Sequence, residues 1–280
     1  MVELTDEQVA SYREDGFVVV EELFDDEAVA RMREDADDIL ELTVNSSLAN
    51  DRKSRRLDVV EDDDGEQMVR KVQPVDDLSL TFTEVEEEIR EAVGQLMDDE
   101  AALMEEKLNY KEPLPDPVEG LDPDRATSAF PVHNDWAYYK AQDYPQGIVS
   151  AAVMVDDNTA EKGPLHVWPG SHEEHREHEH VEGLGLQVPG SEIEGTGEDV
   201  LAPAGTVVFF SSLLVHSSRP NSSGKPRRLM IYSHYPESEG EMAFDERNGP
   251  TRFHESPWEW EYQRKKEAGE YVDEFEAPRF

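Results

Sequence analysis

The sequence predicts a mainly β protein whose helices gather in the N-terminal part. Three observations lead there. Apolar residues at helical spacing recur through the first 106 positions and then give way. From about residue 129 short β-rich runs follow one another, separated by Pro- and Gly-containing turns, with no long helix between them. No uninterrupted apolar run approaches the ~18 residues of a membrane helix. Many short strands with turn signals indicate a sandwich, a jelly roll or a barrel.

Each element has a local reason. "LTDEQVASYRED" (4–15) predicts a short helix with Thr5 as its N-cap. "GFVVVEELF" reads as a strand. Asp25 or Asp26 starts a longer helix in which Val29, Met32, Ala36, Ile39 and Leu40 recur on one face. "RRLDVVEDDDGEQMVRKV" is a hairpin, two apolar stretches around an Asp-Gly turn. Residues 83–106 are expected to be helical, with Val85, Ile89, Val93 and Leu96 as the buried stripe. The β-rich runs are "FPVHNDWAYY", "GIVSAAVMV", "PLHVW", "GLGLQV", "GTVVFFSSLLVH" and "RRLMIYSHY". The expected organisation is one domain over 1–280: a mainly helical part (1–128), a β-core (129–236) and a C-terminal extension (237–280).

Composition narrows the chemistry. The 280 residues include no cysteine, which removes disulfides, thiolate nucleophiles, thiolate-bound zinc and iron–sulfur clusters. Any metal must sit on nitrogen and oxygen ligands. Sixty-six acids face 26 bases, a formal charge of -40. The acids are spread along the chain and form no single block, so they predict the solvated surface of a protein from a salt-rich cytosol. There, screening over about 3 Å at 1 M salt relieves the repulsion. No basic stripe is present to displace counterions from phosphates, so nucleic acid is not an expected partner. The opening "MVELTDEQVASYRED" is acidic and lacks a basic segment followed by an apolar one, so no secretory signal or membrane association is expected, and the location is cytoplasmic.

The candidate site begins at "FPVHNDWAYY". Residues i and i+2 of a strand share a face, so His133 and Asp135 aim together and Asn134 points away. His216 ends the run "TVVFFSSLLVH". If the two strands are neighbours, the three residues form a 2-His-1-carboxylate triad with open positions opposite, a ligand set suited to non-haem iron(II) and oxygen. Downstream, Arg227 heads another strand. A guanidinium holds a carboxylate bidentately, and of the adjacent Arg227 and Arg228 only one can face inward.

These segments resemble the phytanoyl-CoA dioxygenase-like (PhyH) group of Fe(II)/2-oxoglutarate-dependent oxygenases over nearly the whole chain. "LTDEQVASYREDGFVVVEELFDDEAVARMREDAD" is similar to the family's opening and "FPVHNDWAYY" to its proximal metal motif. "MVDDNTAEKGPLHVWPGSHEE" is similar to its strand, loop and Pro-Gly-Ser-His turn, and "AGTVVFFSSLLVHSSRPNSSGKPRR" to its distal motif. The resemblance implies a double-stranded β-helix, the jelly roll of cupin-like proteins. It implies His133, Asp135 and His216 as iron ligands, Arg227 as the clamp for the distal carboxylate of 2-oxoglutarate, and Ser218 as a partner to that carboxylate. The implied reaction is hydroxylation of a small organic substrate with O2, giving succinate and CO2. Two positions depart from the family pattern. Asn134 stands where Gln is common, which bears on a co-substrate contact there, and Gly205-Thr206 stands where Gly-Asp is frequent. A cupin-like metalloprotein that does not use 2-oxoglutarate and a non-catalytic small-molecule binding module are the alternatives.

Other candidates read as structural. His172, His175, His178 and His180 lie in "SHEEHREHEH", where His172 belongs to the Pro-Gly-Ser-His turn and the others alternate with Glu and Arg on an expected exposed loop or short helix. Trp136, Tyr138 and Tyr139 are candidates for a pocket wall or for core, and Trp168 for packing.

Overall fold

The computed structural model describes residues 2–61, 65–114, 124–125, 128–181, 185–239 and 255–271. The first helix, α1 (Asp6–Asp15), is closed by a capping box in which Thr5 Oγ1 accepts from the Gln8 N–H and Gln8 Oε1 accepts from the Thr5 N–H. Strand β1 (Phe17–Val20) follows. Asp25 caps α2 (Asp26–Asn50), where Val29, Met32, Ala36 and Ile39 are buried and Leu40 packs at the edge of the same cluster. The predicted hairpin is β2 (Leu57–Glu61) against β3 (Gln67–Val72). Asp64 of its expected turn lies outside the described residues.

The next helix ends earlier than its sequence suggests. α3 (Leu80–Met97) buries Val85, Ile89, Val93 and Leu96, but Asp98 takes a left-handed conformation (φ 57°) and Ala101–Pro113 becomes strand β4. "AALMEEKLNYKEP" is rich in good helix formers, yet the strand is paired on both sides. It hydrogen-bonds to β3 and to the last strand of the sheet, and those ladders override a weak local preference.

The remaining elements are β5 (Asp124–Arg125), β6 (Phe130–His133), α4 (Trp136–Tyr139), β7 (Val149–Met154), β8 (Leu165–Val167), β9 (Glu179–Val181), β10 (Gly185–Gln187), β11 (Glu198–Asp199), β12 (Val207–Ser211), β13 (His216–Ser218), β14 (Leu229–Pro236) and α5 (Pro257–Glu267). Two predicted strands are therefore broken. "FPVHNDWAYY" leaves the strand after His133 and turns into α4. "GTVVFFSSLLVH" is β12, a turn over 212–215, and then β13 in a different sheet.

One sheet has the order β1-β12-β7-β14-β4-β3-β2-β5 and a second the order β11-β8-β13-β6. All their pairings are antiparallel except β2 with β5. The first part of the chain carries α1, α2 and α3, but β1 pairs with β12 and β4 with β14, so it shares its large sheet with the β-core. The result is a jelly roll. β7 shows how it packs: Val149, Ala151 and Val153 join the cluster beneath α2 and α3, while Ala152 and Met154 meet Leu165 and Val167 of the small sheet. Tyr110 and Tyr232 tie the sheet to the helices by donating to the carbonyls of Ala36 and Phe82, each at 2.6 Å.

Arg228 is a further polar tie in this layer. Its guanidinium donates twice to Asp156, at 2.8 and 3.0 Å, and once more to Asp37. Burial works against the Asp156 charge, but Arg228 outweighs it and holds the carboxyl below its ordinary range. Replacing Arg228 with Met should destabilise the fold by about 3 kcal/mol, the lower end for a broken buried pair, because the Asp156 carboxylate loses the closer of its two guanidinium partners and keeps Arg33 at 3.1 Å. The folded-state pKa of Asp156 is depressed, so its contribution is present above the ordinary aspartate value of about 4 and is lost as pH falls through the lower folded value. Urea melts as a function of pH should show that loss in the native chain and show it diminished in Asp156→Asn.

Candidate metal centre

The centre is built where the short strands β6 and β13 run side by side. His133 and His216 are direct register partners across this pair, with ring centroids 4.4 Å apart. Each ring is held from behind in the same way. His133 Nδ1 donates to the Pro131 carbonyl at 2.7 Å, and His216 Nδ1 donates to the Leu214 carbonyl at 2.9 Å. A carbonyl only accepts, so Nδ1 carries the proton and the lone pair of Nε2 is turned into the site. This is the outer support that a metal-binding imidazole needs.

Asp135 arrives by a different route from the one its spacing suggests. It lies one turn beyond the strand, in helical conformation (φ -64°, ψ -32°), at the head of α4. The Trp136 N–H donates to the Ser212 carbonyl at 3.0 Å and pins that turn, and the Asp135 side chain makes no capping hydrogen bond. Its Oδ1 lies 3.5 Å from His133 Nε2 and 3.7 Å from His216 Nε2. The three donor atoms fall within 4.8 Å of one another, and all three residues are buried. Burial would raise the Asp135 pKa, but His216, His133 and Lys107 hold the carboxyl well below its ordinary range. Burial, then repulsion from His133, lowers His216 to about 4. An ionised carboxylate and neutral imidazoles are the ligating forms.

A cavity opens from the triad. Phe130, Ala152, Leu165, Phe210, Leu229 and Ile231 make its apolar wall, and Ser217, Ser218 and Arg227 also line it. Arg227 is 3% exposed, and among the described residues its guanidinium has no carboxylate partner. Burial draws its pKa down to about 10, with Asp156 opposing. Arg228 faces the other way, toward Asp156 and Asp37, and both arginines immediately precede β14.

Lys107 and Asn109 also line the cavity, and sequence reasoning missed both. They sit on β4, the strand read as the end of a helix. The signal was present as alternation, with Leu108 and Tyr110 apolar on one face and Lys107, Asn109 and Lys111 polar on the other. Lys107 Nζ donates to Glu105 at 2.9 Å, and Tyr139 Oη donates to the same carboxylate oxygen at 2.7 Å. The Asn109 Oδ1 is buried without a hydrogen-bond partner among the described residues.

Asn134 is placed elsewhere than a co-substrate contact requires. It does not line the cavity, because the turn into α4 carries its amide outward. Its Nδ2 donates to His175 Nδ1 at 3.4 Å, its Oδ1 accepts from the Ala137 N–H at 3.2 Å, and its own backbone N–H donates to His178 Nε2 at 3.1 Å. His175 and His178 stack with ring centroids 5.5 Å apart, so two of the four histidines in the 172–180 stretch brace the metal loop from outside. Tyr138 is exposed, with its ring centroid 5.8 Å from that of His133 and nearly perpendicular to it, Tyr139 is buried against Glu105, and Trp136 packs on His175. None of the three lines the cavity. Trp168 packs edge-on against His166.

A jelly roll presenting two imidazole nitrogens and one carboxylate oxygen on the wall of a cavity can hold a single non-haem metal ion. The model of the phytanoyl-CoA dioxygenase (PhyH) family matches residues 12–229, and the chain belongs to that family. The ectoine dioxygenase of Bordetella bronchiseptica is 26% identical over 254 residues, covering 82% of this chain and 75% of the relative. A probable alpha-ketoglutarate-dependent hypophosphite dioxygenase of Stutzerimonas stutzeri is 25% identical over 238 residues, covering 80% and 76%. Among solved structures, the epimerase SnoN in complex with Fe3+, alpha ketoglutarate and nogalamycin RO shares the fold with a TM-score of 0.64 at 19% identity, covering 89% of this chain and 91% of that one. EctD from S. alaskensis with bound Fe does so with a TM-score of 0.62 at 21% identity, covering 84% and 78%.

His216→Ala should abolish binding of one Fe(II) per chain while leaving the melting temperature of the metal-free protein within a few degrees of native. Metal analysis after anaerobic loading checks this, and full occupancy in the variant would remove His216 from the ligand set.

Proposed function

We propose that the chain is an iron(II)- and 2-oxoglutarate-dependent dioxygenase that hydroxylates a small organic substrate and releases succinate and CO2. The observation that carries the reading is the cavity itself: a preorganised His133–Asp135–His216 triad on one side and, on another, the buried Arg227, which no carboxylate among the described residues pairs with. The donor set fits iron(II), since two neutral imidazoles and one carboxylate leave positions open and no thiolate competes. Arg227 fits the distal carboxylate of 2-oxoglutarate, because a desolvated guanidinium gains most from a bidentate anion.

In this reading iron, with 2-oxoglutarate and O2, supplies the oxidising chemistry for an unactivated C–H bond. The chain supplies the geometry. The Pro131 and Leu214 carbonyls fix the two imidazoles, and Asp135 brings one negative charge to the cation. Arg227 sets the depth at which the dicarboxylate lies. Phe210, Leu165, Leu229 and Ile231 exclude water, which strengthens each of these charge interactions. Membership in the dioxygenase family, together with the triad and Arg227, favours this reading over a cupin-like metalloprotein without 2-oxoglutarate and over a binding module. Succinate release separates it from the first, and iron content from the second.

Arg227→Ala should raise the 2-oxoglutarate requirement about ten-fold or more while iron stays bound, as expected for one lost charge-assisted bidentate contact. Arg228→Ala should leave that requirement near native at temperatures where it is folded. Succinate release as a function of 2-oxoglutarate, measured with a panel of candidate metabolites, reads both effects. Equal sensitivity of the two variants would contradict the assignment of Arg227.

We further propose a salt-rich cytoplasm as the working environment. The support is the charge of -40 spread over the whole chain, and among the described residues no helix is long and apolar enough to cross a membrane. Stability should rise with ionic strength as self-repulsion is screened. A melting temperature that stays flat from millimolar to molar salt would count against this environment.

A further inference from the structure

Lys111 is a fully buried lysine that neither the metal centre nor the core explains. It lies on the cavity-facing row of β4, and no carboxylate among the described residues pairs with it. Its Nζ instead meets three oxygen acceptors from two other segments. It donates to Ser218 Oγ at 2.8 Å, to the Gly163 carbonyl at 3.3 Å and to the Arg219 carbonyl. An ammonium has three hydrogens and no lone pair, so the three acceptors satisfy it completely.

The cage is built by close backbone approach. A Cβ at Gly163, whose φ is +63°, would fall 2.0 Å from the Arg219 carbonyl oxygen. Only glycine lets the two carbonyls converge on one nitrogen. Asn221 Nδ2 donates to the Lys111 carbonyl at 2.8 Å and ties the same loop to β4. The Phe130 ring, 5.7 Å from Nζ, closes another side. Arg227, Arg219 and Arg70 surround this position. Burial first, then those three cations, pulls the Lys111 pKa down to about 6, while the three acceptors favour the ammonium. An anion paired with Arg227 would relieve part of that repulsion.

The consequence falls on Ser218, which lines the cavity with Arg227. We propose that Lys111 is a positioning residue: by donating to Ser218 Oγ it directs the serine hydroxyl hydrogen into the cavity, toward the carboxylate that Arg227 pairs with. Serine is then a donor to the anion and not an acceptor competing for the guanidinium. This inference rests on the reading of the site as a 2-oxoglutarate site, and it assigns to Lys111 a part in binding the distal carboxylate.

The test is calorimetry on the anaerobic iron(II)-loaded protein with two probes, 2-oxoglutarate and pyruvate. Pyruvate is a 2-oxo acid without the distal carboxylate. Lys111→Met keeps the buried stem, and Ser218→Ala leaves Lys111 in place. Each variant should weaken 2-oxoglutarate binding about ten-fold, the weight of one well-placed hydrogen bond to an anion. The double variant should lose little more than Ser218→Ala alone, because the lysine acts through the serine. Pyruvate affinity and iron content should not change in either single variant. Native 2-oxoglutarate affinity in Lys111→Met, additive losses, or a parallel loss of pyruvate binding would each overturn the proposal. If Lys111→Met does not fold, Ser218→Ala decides: an undiminished affinity for 2-oxoglutarate there overturns it as well. Failure of the native protein to bind 2-oxoglutarate would overturn the functional reading and this inference together, whereas native binding with an indifferent Lys111 overturns this inference alone.

Discussion

The structure of the site depends on the antiparallel pairing of β6 with β13. Both strands are short, but their register sets His133 directly opposite His216. The geometry that follows leaves little freedom. Each imidazole is anchored by a carbonyl two residues before it, and the turn that delivers Asp135 is tied to the Ser212 carbonyl just upstream of β13. The same stretch of chain that ends at one histidine therefore helps to place the carboxylate that follows the other. His175 and His178 then close on the outside of that turn through Asn134. A one-residue slip would exchange the faces of every side chain on the pair and disperse the ligands.

A second organising feature is the contrast between surface and interior charge. The chain carries 66 acids and only 26 bases, yet several bases lie inside. Arg56 is bound by Asp77 and Glu259, Arg228 by Asp156 and Asp37, Lys111 by three uncharged oxygens, and Arg227 faces the cavity. The first two hold helices and strands together. Among the described residues no carboxylate pairs with Lys111 or Arg227, and both stand beside the cavity. A cation in a low-dielectric site keeps an attraction for anions that surface charge loses to screening, which matters most in a salt-rich solvent.

Much of the architecture could be read in advance because it is local. Thr5 and Asp25 announce their helices by capping, Val85 to Leu96 mark a stripe by spacing, and the β-rich runs after residue 129 mark a roll of short strands. The errors share one cause. β4 carries residues that favour helix, and it is a strand because β3 and β14 flank it. "GTVVFFSSLLVH" reads as one strand, and it is two because the chain changes sheets at Ser212–Val215. Lys107, Asn109 and Lys111 stayed hidden behind the first of these errors.

By itself the sequence determined the chemistry available: no thiolate, an H-x-D pair, a distal histidine and adjacent arginines of which one must face inward. Those are properties of residue types and of short spacings, and they hold whatever the chain does elsewhere. Only the tertiary structure decided which groups meet. Asp135 joins His133 through a helical turn and not along a strand, Asn134 turns away from the cavity, and Lys111 reaches Ser218 across 107 positions of chain. Such contacts come from ladders between strands far apart in sequence, whose register depends on packing over the whole roll, and no local period records it.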